Sequence, residues 1–203
     1  DNGANNDRAV ANFKKYKDAG AVVASTMMTV QGEAIQSLAT RDKLPLIVAS
    51  TTDALQDPQQ WTYTFTPSYT EAFGSFLKWV KDNWKESRRP RVAQLGNEMP
   101  RSRAHIEPGK RMAAELGIDY GPIEITSLGT LDYTPNLLRI RDAKADFVYL
   151  TFMPGLYTTA LRDAVKLGII GKTEWVFDGQ IPHWEFMGLM PSEGNGRLGI
   201  SYY

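Results

Sequence analysis

The sequence predicts an α/β fold with mostly parallel sheets, and three observations carry that prediction. Short apolar runs at residues 21–24, 46–49, 92–95 and 147–150 alternate with stretches whose apolar residues recur at helical spacing. Strand and helix repeat about every 30 residues, the length of a βα unit. The runs at 21–24, 46–49 and 92–95 then empty into polar residues, and a crossover through a single helix returns the chain in the same direction, which suggests parallel strands covered on both faces.

The chain opens on a polar, turn-rich stretch in which Asp7 is placed to cap a helix carrying Val10, Phe13 and Tyr16, with Gly20 closing it. Residues 21–24 form a strand that empties into Ser25, Thr26 and Thr29. After one amphipathic helix, residues 46–49 form a second strand that empties into Ser50, Thr51, Thr52 and Asp53. Both hydroxyl-rich loops open on the carboxyl edge of the sheet, where open parallel sheets bind ligands. Hydroxyls and backbone N–H groups there suit a small anionic or zwitterionic ligand such as a carboxylate. The competing reading of each loop is helix capping, the commonest use of Ser and Thr after a strand.

Residues 61–65 alternate aromatic with Thr in the period-two pattern of a strand, ended by Pro67 and Ser68. Tyr69 begins a helix with Ala72, Phe73, Phe76, Leu77 and Val80 on one face. A basic turn at 85–91 leads to the strand at 92–95 and a polar loop containing Asn97. A helix over 106–116 capped by Gly117, a strand at 123–125 and a helix opened by Thr134 and Pro135 follow. The strand at 147–150 leads into Phe152 and Met153, then a helix over 156–167 ended by Gly168. A strand at 175–177 precedes Asp178, an aromatic helix is expected near 183–187, a turn at 193–196, and a last strand at 198–202.

Composition excludes several functions. Lys plus Arg equals Asp plus Glu, at 23 each, so there is no basic surplus for nucleic acid. Cysteine is absent, which removes disulfides, thiolate metal sites and cysteine nucleophiles together. No apolar run approaches the roughly 20 residues that span a bilayer.

Catalytic motifs fail on context. Gly194, Gly196 and Gly199 spell GxGxxG, but a loop precedes and a β-like run follows, where a dinucleotide site needs strand before and helix after. There is no GxSxG and no HExxH, and two histidines, His105 and His183, leave a metal centre without ligands. No nucleophile, base and orienting group assemble, so neither a catalytic site nor a cofactor is expected.

The order of units resembles type I periplasmic solute-binding proteins of the branched-chain amino acid (Leu/Ile/Val) class, the receptors of ABC importers. The residues that carry the resemblance are Gly20 to Val23 with the Ser25, Thr26, Thr29 loop; Leu44 to Ile47 leading into Ser50 to Thr52; Tyr63 to Phe65 with Pro67 to Tyr69; Val92 and Ala93 with Asn97; and Ala145 to Tyr149. The resemblance implies a two-lobed fold closing on a small carboxylate or amino-acid-like ligand, an exported location, a membrane permease as partner and no enzyme activity. It implies residues 1–67 in lobe 1, 68–196 in lobe 2 and 197–203 starting the return to lobe 1, with the chain truncated at both ends. Carried over by position, the expected ligand residues are Ser25, Thr26, Thr29, Ser50, Thr52, Tyr69, Asn97, Phe152, Met153 and Asp178, the last meeting a ligand ammonium. Met27 and Met28 stand where relatives often carry Gly or Ser, and Met153 where a Tyr is common, which departs from a plain branched-chain amino acid binder. A ligand-sensing domain of a regulator shares the same expected fold.

Overall fold

The computed structural model describes Gly3 and residues 5–152, 155–179 and 197–200. The chain divides into two compact units, Asp1–Glu71 and Ala72–Tyr203. Met153, the expected helix near 183–187, the turn at 193–196 and the GxGxxG glycines Gly194 and Gly196 lie outside the described residues. No helix among the described residues is long and apolar enough to cross a membrane.

In the first unit, helix α1 (Asn6–Asp18) is capped by Asn5, whose side chain accepts the Arg8 N–H at 2.9 Å. Asp7 therefore sits inside the first turn, favourable to the helix dipole, rather than capping it. Strand β1 (Ala24–Thr26) starts later than the apolar run that predicted it. The Ala21 N–H still folds back on the Tyr16 carbonyl, and ladder contact begins only where the Ala24 N–H donates to Pro45 O. Val22 and Val23 are thus an exposed connector, and Ser25 and Thr26 belong to the strand and not to a loop after it.

Helix α2 (Thr29–Asp42), strand β2 (Leu46–Val48), a single 3-10 turn (Asp53–Leu55) and strand β3 (Thr62–Thr64) complete a parallel sheet of order β1-β2-β3. Phe13 of α1 and Ile35 and Ala39 of α2 pack with Leu46 and Val48, so both helices serve one face. The alternation in β3 holds in the opposite sense from an aromatic core: Thr62 is buried and Tyr63 is 50% exposed. Ser25, Ile47 and Tyr63 form one cross-strand row, and Ile47 is 40% exposed. Among the described residues that row is the more exposed face of the sheet, since Leu46, Val48 and Thr62 on the other are buried.

Helix α3 (Tyr69–Asn83) opens on a reciprocal cap: the Glu71 N–H donates to Ser68 Oγ at 3.1 Å and the Ser68 N–H to Glu71 Oε2 at 2.7 Å. The rest of the second unit is strand β4 (Arg91–Asn97), the short helix α4 (Pro100–Arg103), helix α5 (Ile106–Leu116), strand β5 (Asp119–Thr126), helix α6 (Thr134–Asp142), strand β6 (Phe147–Thr151), helix α7 (Tyr157–Lys166), strand β7 (Glu174–Phe177) and strand β8 (Leu198–Gly199). All pairings are parallel, in the order β5-β4-β6-β7-β8. Strand β8 pairs with β7 at the edge of this sheet, where the sequence reading starts the return to the first lobe at Arg197.

The second sheet is covered on both faces. Phe73, Phe76, Leu77 and Val80 of α3 pack with Val92, Tyr149 and Val176 on one side. Leu137 and Ile140 of α6 and Ala160 and Leu161 of α7 pack with Leu95, Val148, Leu150 and Trp175 on the other. Pro122 is accommodated because β5 is an edge strand, where a missing N–H costs no ladder bond. The chain winds outward from β4 to β5 and then crosses to place β6 on the other side of β4. That reversal is a topological switch point, and the carboxyl ends of β4 and β6 are the default ligand position of such a sheet.

Candidate functional site

The carboxyl ends of β1 and β2 gather the hydroxyl residues of the first unit. Thr26 Oγ1 donates to Gln31 Oε1 at 2.7 Å and accepts the Met28 N–H at 3.4 Å. Thr29 Oγ1 donates to the Ser50 carbonyl at 3.1 Å and lies 3.2 Å from the Tyr69 hydroxyl. Tyr69 is tied in again where its N–H donates to Thr51 O, and Thr52 Oγ1 donates to Glu33 Oε1 at 2.5 Å. Thr26, Thr29, Ser50, Thr52 and Tyr69 therefore share one neighbourhood. Ser25, in the middle of β1, takes no part in these bonds; with Thr26, Phe13, Tyr16 and Val23 it lines a groove of about 590 Å³ between α1 and β1.

The capping alternative fails for both loops. The N-cap of α2 is Met28, in an extended conformation and with no side-chain hydrogen bond, and Thr52 before the 3-10 turn makes no side-chain cap either. Helix α2 thus presents its first-turn N–H groups, and the positive end of its dipole, amid the hydroxyl cluster.

At the switch point of the second unit, Asn97 is the last residue of β4 rather than part of a loop after it. It is fully buried, and its Nδ2 donates to Thr126 Oγ1 at 3.3 Å, Ser127 O at 3.4 Å and Tyr133 Oη at 3.5 Å. Its Oδ1 has no partner among the described residues. Phe152, following β6, is buried edge-on to Tyr133 with ring centroids 5.5 Å apart. Asp178, following β7, is held by Arg101: Nη2 donates to Oδ1 at 2.5 Å and Oδ2 at 2.7 Å, while Nη1 donates to Phe152 O at 2.9 Å. The structure thus brings Asn97, Phe152 and Asp178 together through two residues the sequence reading missed, Tyr133 and Arg101. Arg101 follows Pro100, after the polar stretch that contains Asn97, and nothing local marks it as buried.

Beneath these residues lies a polar network. Gln94 Nε2 donates to Ser102 O at 2.7 Å and Thr151 Oγ1 at 3.1 Å, Tyr120 Oη donates to Gln94 Oε1, and Ser102 Oγ donates to Thr151 O at 2.6 Å. His105 lies beside it, with Phe73 at 4.7 Å and Tyr149 at 5.6 Å between ring centroids and neither ring nitrogen bonded among the described residues. Burial pushes its imidazole down to about 4, and burial likewise pushes the Tyr120 phenol up. Among the described residues no group of three or more His, Asp or Glu is placed to hold a metal ion.

A family model described as periplasmic binding protein matches residues 1–180. A branched chain amino acid ABC transporter structure from Thermus thermophilus with bound valine is 24% identical, with a TM-score of 0.86, 97% of this chain covered and 51% of that one. A leucine binding protein from Thermotoga maritima is 16% identical, TM-score 0.83, with 100% and 57% covered. A solute binding protein of an ABC transporter from Rhodopseudomonas palustris in complex with 3,4-dihydroxybenzoic acid is 20% identical, TM-score 0.73, with 88% and 49% covered. These likenesses show the fold, and the chain spans about half the length of the solved structures it matches. No curated protein sequence matches it.

Proposed function

The chain belongs to the periplasmic binding protein family, and from that premise we propose that it is a solute-binding part of an ABC importer's receptor, taking a small carboxylate or amino-acid-like ligand. The observation that carries this reading is the N-terminus of α2, which has no side-chain cap and opens among Thr26, Thr29, Ser50, Thr52 and Tyr69. A carboxylate there accepts backbone N–H bonds and meets the positive end of the helix dipole. Asn97, Phe152 and Asp178, with Met153, are the residues of the second unit we assign to recognition of the solute. The similar structures are of ABC transporter proteins with bound valine and 3,4-dihydroxybenzoic acid, which supports an exported location and a membrane permease as partner. The role is binding, not catalysis.

Met28→Asp tests it. The extended backbone of Met28 is the conformation of an N-cap, so an aspartate there bonds the first-turn N–H groups itself. Helix α2 then gains about 0.5–2 kcal/mol, the range for a missing cap supplied. Titration calorimetry with valine, leucine and 3,4-dihydroxybenzoate should show the parent chain binding at least one and the variant losing it. Unchanged affinity in a folded, stabilised variant would place the carboxylate elsewhere.

A further inference from the structure

In the second unit Asp178, the acid that the resemblance assigns to a ligand ammonium, is already engaged by a cation. Asp178 and Arg101 are both buried, their side chains 4% and 5% exposed, and the guanidinium reaches both carboxylate oxygens. The same guanidinium donates to Phe152 O, so it spans the carboxyl ends of β6 and β7 from α4, the helix that follows β4. Three adjacent strand ends are therefore joined by one cation, at the same switch point that holds Asn97 and the Phe152–Tyr133 ring pair. A carboxylate engaged in this way carries no net charge to offer. An ammonium brought to it meets a guanidinium already in place, and two like charges in a water-poor setting repel.

We propose that Arg101 determines ligand class: by neutralising Asp178 it excludes a cationic amine, so the solute is a carboxylate with a neutral, partly apolar body and not an α-amino acid. The inference rests on the solute-binding reading above and narrows it. Such a neutral body has no need of a counter-ion.

The test uses acids matched in everything but the amine: valine against 3-methylbutanoate, and phenylalanine against 3-phenylpropanoate, titrated calorimetrically into the chain. The amine-free member of at least one pair should bind about tenfold tighter or better, the ratio that a 1.4 kcal/mol difference gives. Equal or tighter binding of the amino acid overturns the inference and leaves the solute-binding reading standing. Failure of all four acids, and of leucine and 3,4-dihydroxybenzoate, to bind removes that reading, and this inference with it. Arg101→Gln uncovers the Asp178 charge and should move the ratio at least about tenfold toward the amine, whereas Arg101→Gln with Asp178→Asn removes both charges and should keep the parent's preference. If the folded single variant keeps the parent ratio, Arg101 is not the determinant. Should that variant fail to fold, the matched pairs on the parent chain still decide.

Discussion

Acidification should cost the second unit stability through His105 before its carboxylates respond. The ring is buried between Phe73 and Tyr149, and desolvation, with a smaller push from the Arg101 charge, holds its imidazole at about 4 against an ordinary 6.5. The unfolded chain therefore binds a proton that the folded chain refuses. The stability contributed is fully present above 6.5 and is lost as pH falls toward 4. By pH 5 the loss amounts to about 2 kcal/mol, from the 1.36 kcal/mol that each unit of pKa is worth. Glu124, bonded by Arg139, is held below the usual carboxylate range, so it begins to weaken the fold only at lower pH. Urea unfolding at pH 7, 6 and 5, with hydrogen exchange of β4 and β6 as the local readout, separates the two. His105→Phe keeps an aromatic ring in the cluster and removes the titration, so its stability should be nearly flat over that range. Parallel decline of parent and variant would refute the reasoning, whatever the variant's stability at pH 7.

Two further outcomes can be measured. Gly96→Ala should destabilise the second unit by about 3 kcal/mol, the upper end for overpacking, because the added Cβ would lie 2.0 Å from Thr151 Oγ1 and 2.8 Å from both Thr151 O and Ser102 Oγ; a shift of the urea midpoint by less than a third of that would mean the strand ends give way easily. Thr26→Ala and Ser50→Ala should each weaken ligand binding by roughly fivefold to tenfold, the worth of one hydrogen bond lost from the loop that aims α2, while Ser87→Ala, on an exposed turn, should not; equal affinities in calorimetry would reject the hydroxyl cluster.

Much of the fold was legible because local signals and packing agreed. Helix α5 runs over Ile106–Leu116 and ends at Gly117 with φ 71, as the apolar spacing and the glycine indicate together. The start of β1 was not legible, since Val22 and Val23 look like strand and only the ladder with β2 shows that pairing begins at Ala24. The buried face of β3 was not legible for a related reason: an alternating run fixes that two faces differ, but not that Thr62 and not Tyr63 turns inward. In the candidate site, the hydroxyl loops could be read because each lies within a few residues of its strand. The Arg101–Asp178 pair could not, because its members are 77 residues apart and two charges in unrelated segments look solvated until the fold joins them.

The internal bonding of the hydroxyl cluster says which groups can face an anion. A hydroxyl has one proton to give. That of Thr26 goes to Gln31, that of Thr52 to Glu33 and that of Thr29 to the Ser50 carbonyl. For a carboxylate the remaining donors are chiefly the N–H groups of the first turn of α2, so these threonines act mainly by fixing the loop that aims the helix. Two kinds of variant should then part company. Thr26→Ala releases the Met28 N–H and Gln31 from their partner, so lost affinity comes with lost stability. Met28→Asp fills the helix end from within, so affinity falls while stability rises. A threonine that donated directly to the ligand would lose affinity with its stability unchanged, and that combination is the one this arrangement of bonds forbids.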